Sequence, residues 1–250
     1  MTRFHTTLLL AAILSALAVA FTCWLWLAAL SVALFIMIGL GVALPQMKFF
    51  GPFICEGDAS KKQVALTFDD GPDARSTPAL LDLLREHKIE AAFFCIGKRV
   101  AAQPELAKRI LAEGHMLENH SYAHSNTTNF FTVPQLLADL SQAQAAIQTA
   151  TGLSPKLFRP PVGLSNPNVF RAAKMLGLRV IGWSIRSLDT KINEPERVVA
   201  RIERRLKPGA IILLHDGHIP AERLVLTVRV LLIKLHEHGY EVVRLDQLIG

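Results

Sequence analysis

The string Thr67-Phe68-Asp69-Asp70-Gly71-Pro72 sets two adjacent carboxylates where an apolar run meets a Gly-Pro break. Val64, Leu66 and Phe68 alternate with Gln63, Ala65 and Thr67, the period of a strand, and Gly71-Pro72 cannot continue one. The acids therefore lie at a strand tip. Like charges so placed repel each other and lose hydration on burial, so they need a positive partner, and a metal ion is the strongest candidate. A polar turn after a strand can be spelled the same way, so the pair does not decide by itself.

Four further groups of polar residues follow strand-like stretches. His120 and His124 stand four apart after His115 to Leu117; on a helical turn that spacing presents two imidazoles on one side, as divalent metal binding requires. One Asp with two His would complete a three-ligand site with open positions for water, the arrangement of catalytic zinc. Arg159 heads Pro160-Pro161-Val162-Gly163 and could hold a carboxylate by a two-pronged bond, keeping it ionised. Asp189 follows the Ile181-Gly182-Trp183 stretch, as loop punctuation or as the partner of a histidine. His215 ends the run Ile211 to Leu214, well placed for proton transfer. Their agreement on one rim carries more than any of them singly.

The elements that must position these residues alternate along the chain. Strands are expected at Val64 to Phe68, Ala91 to Ile96, His115 to Leu117, Val180 to Trp183, Ala210 to Leu214 and Glu241 to Val243. Helices are expected at Pro78 to His87, Pro104 to Glu113, Val133 to Ala150, Asn168 to Leu176, Pro195 to Leu206 and Ala221 to His238. Such alternation implies an α/β fold with parallel strands and helices outside, a barrel or a doubly wound sheet, and in both the functional groups gather at the carboxyl ends of strands.

The hydrophobic share of 51% is concentrated at one end of the 250 residues. No charged residue occurs from Thr7 to Leu44, a stretch of roughly 57 Å as helix, about twice a bilayer core. Residues 1–44 therefore read as a membrane segment of one or two helices. Length favours two spans turning near Phe21 to Trp26, while the lack of Gly, Pro or charge there favours one. A secretory signal cleaved after Ala18-Val19-Ala20 would still leave Trp24 to Leu44 as a span. Arg3 and Lys48 do not decide which face of a bacterial inner membrane carries the rest. Residues 45–60, with Gly51-Pro52 and Gly57, read as linker, and 61–250 as the catalytic domain.

From Lys61 onward there are 25 Lys and Arg against 19 Asp and Glu, an excess suited to lipid headgroups or an anionic glycan. The basic run Arg197 to Lys207, with Arg201, Arg204 and Arg205, is interrupted by Glu203 and reads as a solvated helix face rather than a nucleic-acid patch. Cysteines at 23, 55 and 95 have no metal-site spacing and are read as packing residues.

From Lys61 to Leu248 the chain resembles the polysaccharide deacetylase family, also called carbohydrate esterase family 4 or the NodB-homology domain. Thr-Phe-Asp-Asp-Gly-Pro followed by His-Ser-x-x-His carries the likeness. The resemblance implies a distorted (β/α) barrel with fewer than eight repeats and metal-dependent hydrolysis of N-acyl, usually N-acetyl, groups on amino sugars. It implies Asp69 as catalytic base, Asp70, His120 and His124 as ligands of one divalent ion, and Arg159 as the residue orienting the base. His215 would be the general acid and Asp189 its partner. Val162, through its backbone N–H, Leu213 and Trp183 would contact substrate. One carboxylate and two imidazoles suit Zn first, and also Co, Ni or Mn. The family usually has an aromatic residue at Val162, a Trp at Thr190 and often Asp at Arg186. These departures change the groove walls and imply a substrate choice unlike that of chitin- or peptidoglycan-acting relatives; with the membrane segment, the substrate is expected to be an amino sugar of a polysaccharide or of a lipid-linked glycan. Removal of a formyl group, and glycan binding without turnover, are the alternatives.

Overall fold

The computed structural model describes residues 2–20 and 24–250. Two apolar helices lead, α1 (Arg3–Ala20) and α2 (Trp24–Ala43). They run antiparallel, with Thr7 Oγ1 donating to Met37 Sδ (3.6 Å), the Phe4 N–H to the Phe49 carbonyl (2.9 Å) and Arg3 to the Met47 carbonyl (2.9 Å). Helix α2 is long and apolar enough to cross a membrane. Leu25, Trp26 and Phe35 on it are highly exposed, an apolar surface of the kind that marks an interaction site. The expected turn near Phe21 to Trp26 lies largely outside the described residues, as does Cys23.

The rest alternates strand and helix as expected: β1 (Gln63–Asp69), α3 (Thr77–Glu86), β2 (Ala92–Cys95), α4 (Gly97–Ala102), α5 (Pro104–Ala112), β3 (Met116–Asn119), α6 (Val133–Thr151), β4 (Leu157–Phe158), α7 (Pro167–Met175), β5 (Arg179–Val180), β6 (Ile185–Arg186), α8 (Pro195–Glu203), β7 (Ala210–His215), α9 (Ala221–Glu237), β8 (Glu241–Val242) and α10 (Leu245–Ile249). Among the described residues all strand pairs are parallel, in the order β5-β4-β3-β2-β1-β7-β6, with β8 against the start of β1. The sheet is curled, a distorted barrel with fewer than eight repeats. Strands β4 and β6 and helices α4 and α10 were not anticipated, since two residues have no period and the two helices have five or six residues each.

The alternation in β1 separates two cores rather than a core and a solvent face. Val64, Leu66 and Phe68 join Phe93, Ile212 and Leu214 under the helices. Ala65 joins Phe94, Ile211, Leu213 and Trp183 inside the curl. Burial on both faces is what a parallel sheet under helices imposes. Because side chains alternate strictly, Thr67 and Asp69 share the inner face with Ala65, and His215 shares it with Leu213.

Residues 45–60, expected as linker, are packed on the domain. Phe49, Phe50, Phe53 and Cys55 are buried; Ile54 bridges Ile181 and Glu56 bridges Ala210. Four apolar side chains in this stretch outweigh its Gly-Pro punctuation. The packing also ties the apolar helices to the domain: Gln46 donates to the Trp183 carbonyl (2.7 Å), and the Ser165 N–H to the Val42 carbonyl (3.3 Å).

Candidate active site

Asp69 ends β1 and lies in register with Phe94 on one side and His215 on the other. Its Oδ1 accepts from Arg159 Nη1 at 2.6 Å, and both side chains are buried. Asp70, one residue on, has a left-handed backbone (φ 75°) that turns its carboxylate to the opposite set of partners. Its Oδ1 stands 3.4 Å from His120 Nε2 and 3.1 Å from His124 Nε2. Two neighbouring acids thus face different partners, an arginine and a pair of histidines.

Arg159 follows β4, where its N–H continues the ladder to the Asn119 carbonyl. The two-pronged grip expected of it is not formed. Its Nη1 serves Asp69 and Thr67 Oγ1 (2.9 Å), and its Nη2 serves the Gly182 carbonyl (2.9 Å). The guanidinium lies 4.1 Å from the centroid of the Phe94 ring, so it reaches Asp69 edge-on through the inner core. Burial lowers its pKa from the ordinary value and the Asp69 charge opposes that. Thr67, which the strand pattern absorbed, is a second fixed contact of this arginine and donates to the Ile212 carbonyl (2.8 Å).

His120 and His124 do not sit on a helical turn. They occupy the loop after β3, where Ser121 (φ 63°) and His124 (φ 50°) adopt left-handed conformations. Side chains hold that loop: Asn119 Oδ1 accepts the Ser121 N–H (2.8 Å), and the Asp139 carboxylate accepts those of Tyr122 (3.2 Å) and Ala123 (3.0 Å). Such bonds replace the helical ladder. Asp139, on α6, carried no signal beyond its acidity.

The arrangement fits a cation. His120 Nδ1 lies 2.7 Å from the Arg159 carbonyl, which can only accept, so the neutral ring keeps its lone pair on Nε2, toward Asp70. A lone pair facing a carboxylate oxygen is repulsive without a proton or metal ion between them. One ligand atom from each of Asp70, His120 and His124 lies within 4.8 Å of the others, and the carbonyl on Nδ1 is the usual outer support of a metal-binding histidine. With a proton on Nε2 instead, His120 and His124 donate to Asp70 and, against the burial that would raise its carboxyl, hold it well below the usual carboxylate range.

His215 Nδ1 pairs with Asp189 Oδ1 at 2.8 Å, and Asp189 Oδ2 accepts the His215 backbone N–H (2.8 Å). Nε2 is left toward the cavity. Burial by itself would lower the imidazole, but the bond and charge of Asp189, with Asp69 and Asp70 beyond, push it up to about 9. Behind it, Asp216 is fully buried with Oδ1 unpartnered among the described residues, and burial pushes its carboxyl up to about 7.

These groups line a cavity of about 260 Å³ together with Val162, Trp183 and Leu213, while Arg159 and Asp189 act from behind its wall. Arg186, Thr190 and His218 line it as well; the first two were noted in the sequence as departures from the family, and the third was not singled out. Val162 has φ 60°, rare for a β-branched residue, and its N–H makes no hydrogen bond among the described residues.

A family model of polysaccharide deacetylase matches residues 56–181. The chain is 37% identical to a peptidoglycan-N-acetylglucosamine deacetylase of Listeria monocytogenes, over 76% of its own length and 40% of that protein's. It is 37% identical to a peptidoglycan-N-acetylglucosamine deacetylase of Bacillus cereus, covering 76% of itself and 89% of the relative. Its fold matches a CE4 family pseudoenzyme from Bacillus anthracis with a TM-score of 0.74 and 28% identity, covering 80% and 69% of the two chains. A shared fold therefore reaches active and inactive proteins alike, and chemistry has to be argued from side chains. Sequence and architecture agree on kinship, and the chain belongs to the polysaccharide deacetylase family.

Proposed function

We propose that this protein is a membrane-anchored, metal-dependent hydrolase that removes the N-acetyl group from an amino sugar of a lipid-linked glycan. One observation carries the reading: a carboxylate fixed by arginine, a three-donor cluster and a carboxylate-paired histidine face one cavity large enough for a sugar ring.

Asp70, His120 and His124 would hold a divalent ion, Zn by donor type, with Co, Ni or Mn also suited. When bound, such an ion supplies acidification of water and neutralisation of developing negative charge. Asp69 takes the proton of the attacking water at Oδ2, since Arg159 occupies Oδ1. The Val162 N–H, without a protein partner among the described residues, is offered to the carbonyl oxygen as charge grows on it. His215, protonated at neutral pH and oriented through Nδ1 by Asp189, gives its Nε2 proton to the leaving amine. Leu213 and Trp183 wall the acyl group.

Helices α1 and α2 form the anchor, a two-span hairpin whose end is bonded to the wall of the cavity through Gln46 and Trp183. That tether supports catalysis at a bacterial membrane surface on a substrate carried by lipid. The test is mass spectrometry of products from lipid-linked and polymeric amino sugars, with and without chelator. Loss of acetyl mass from the lipid-linked sugar, abolished by chelator, is expected. Turnover indifferent to chelator would overturn the metal role. Efficient action on soluble chitin oligomers with none on the lipid-linked sugar would overturn the substrate.

A further inference from the structure

A second cavity, of about 280 Å³, adjoins the first. The two share Trp183 and Arg186 as a common wall. Its other walls come from Ser184, from Ala43 to Gln46 at and just after the end of α2, and from Arg201 on α8 and Arg205 just past it. Arg201 is fixed by its Nε–H bond to the Arg186 carbonyl (3.0 Å). Arg186 also lies 5.8 Å from the Trp183 ring centroid.

These arginines are uncompensated. No carboxylate pairs with Arg186, Arg201, Arg204 or Arg205 among the described residues; of the nearby acids Glu203 pairs with His238 (2.6 Å), Glu194 with Arg197 (3.5 Å) and Glu56 with Lys207, while Glu196, in the first turn of α8, pairs with none of these arginines. The Arg201 guanidinium is held below its ordinary pKa by burial and then by the like charges of Arg205, Arg204 and Arg186. Of the basic run read from the sequence as a solvated helix face, Arg197 and Arg204 are exposed as expected, while Arg201 and the exposed Arg205 also line this cavity. Clustered guanidinium groups with open donors match the tetrahedral oxygens of a phosphate, and this cluster lies between the end of the apolar helix and the catalytic cavity.

We infer that the cavity between Arg186, Arg201 and Arg205 binds the phosphate that joins the amino sugar to its lipid carrier. The inference rests on the proposed function and adds to it how a lipid-linked substrate is recognised. The sugar occupies the catalytic cavity, the phosphate sits past Trp183, and the lipid leaves along α2 into the bilayer.

The full chain in detergent is assayed on two compounds: N-acetylglucosamine joined to a prenyl chain through phosphate, and the same sugar joined to the same chain through an ether. The quantity read is the ratio of kcat/KM values. The wild type is expected to favour the phosphate compound at least tenfold. Arg201→Gln with Arg205→Gln should reduce that ratio about tenfold or more, chiefly through KM, the scale of a lost charge-assisted hydrogen bond. Arg201→Lys with Arg205→Lys should restore part of it. An unchanged ratio in the Gln variant would overturn the inference. So would an unchanged ratio accompanied by weaker flotation with anionic phospholipid vesicles, which would assign the arginines to bulk headgroups. Dissociation constants for both compounds in the Asp69→Asn background give the same ratio without turnover, so failure of the hydrolase reading and failure of the phosphate subsite are told apart.

Discussion

The two halves of the site are built differently. Asp69, Leu213 and His215 stand on β1 and β7, the longest pairing in the sheet, where register and alternation set both height and direction. His120, His124 and Val162 stand on loops whose geometry depends on left-handed residues and on side chains bonded to backbone N–H groups. The strand half is positioned by the fold itself, and the loop half by a few individual contacts. It follows that the proton-transfer groups should tolerate substitution of their surroundings better than the donor cluster does.

The largest expected effect falls on the loop half. His120→Ala combined with His124→Ala should remove bound metal and with it nearly all turnover; a full metal complement by elemental analysis would contradict the cluster. Asp139→Ala touches neither metal nor substrate, but frees the Tyr122 and Ala123 N–H groups. Metal affinity should fall about 10- to 100-fold, as when outer supports of metal ligands are removed. Unchanged affinity would show that the loop holds itself.

On the strand half, Asp189→Asn should leave metal content intact and move the pH profile. His215 must be protonated to donate, and its pKa is raised to about 9, so activity is present below that value and lost as pH rises through it. Removing the Asp189 charge takes away the strongest influence raising it, so the alkaline limb should shift toward lower pH. A limb that stays near 9 would remove Asp189 from the role. The smallest effect is expected at Val162: the residue is 47% exposed while its backbone is left-handed. Val162→Gly should retain turnover, since the N–H remains, and relieve strain on the order of 1 kcal/mol, read as a slightly higher Tm. A lower Tm would mean that the side chain contributes packing.

What could be read from sequence follows the same division. The alternation of Val64 to Phe68 and the apolar run ending at His215 gave strand tips directly, and Asp69 and His215 fell on them. The helices were legible from their apolar period, whereas β4 and β6 were too short to have one. The spacing of His120 and His124 suggested a helical turn, yet Asn119 and Asp139 hold a loop there, and the bonds they make have no sequence signature. Arg159 was anticipated as a partner of Asp69, but its division among Asp69, Thr67 and Gly182 depends on strands distant in sequence. The segment from Pro45 to Ser60 was misread because Gly and Pro mark chain reversal, not exposure; Phe49, Phe50 and Phe53 fold it onto the domain.

The central claim is that Asp69 and Asp70, adjacent in the chain, are divided between proton transfer and metal holding. Metal content and turnover measured on the same preparations of Asp69→Asn and Asp70→Asn test it directly. Asp69→Asn should keep its metal and lose turnover by about 10²- to 10⁴-fold, while Asp70→Asn should lose metal and turnover together. Equal metal loss in both variants, or full turnover in Asp69→Asn, would contradict it.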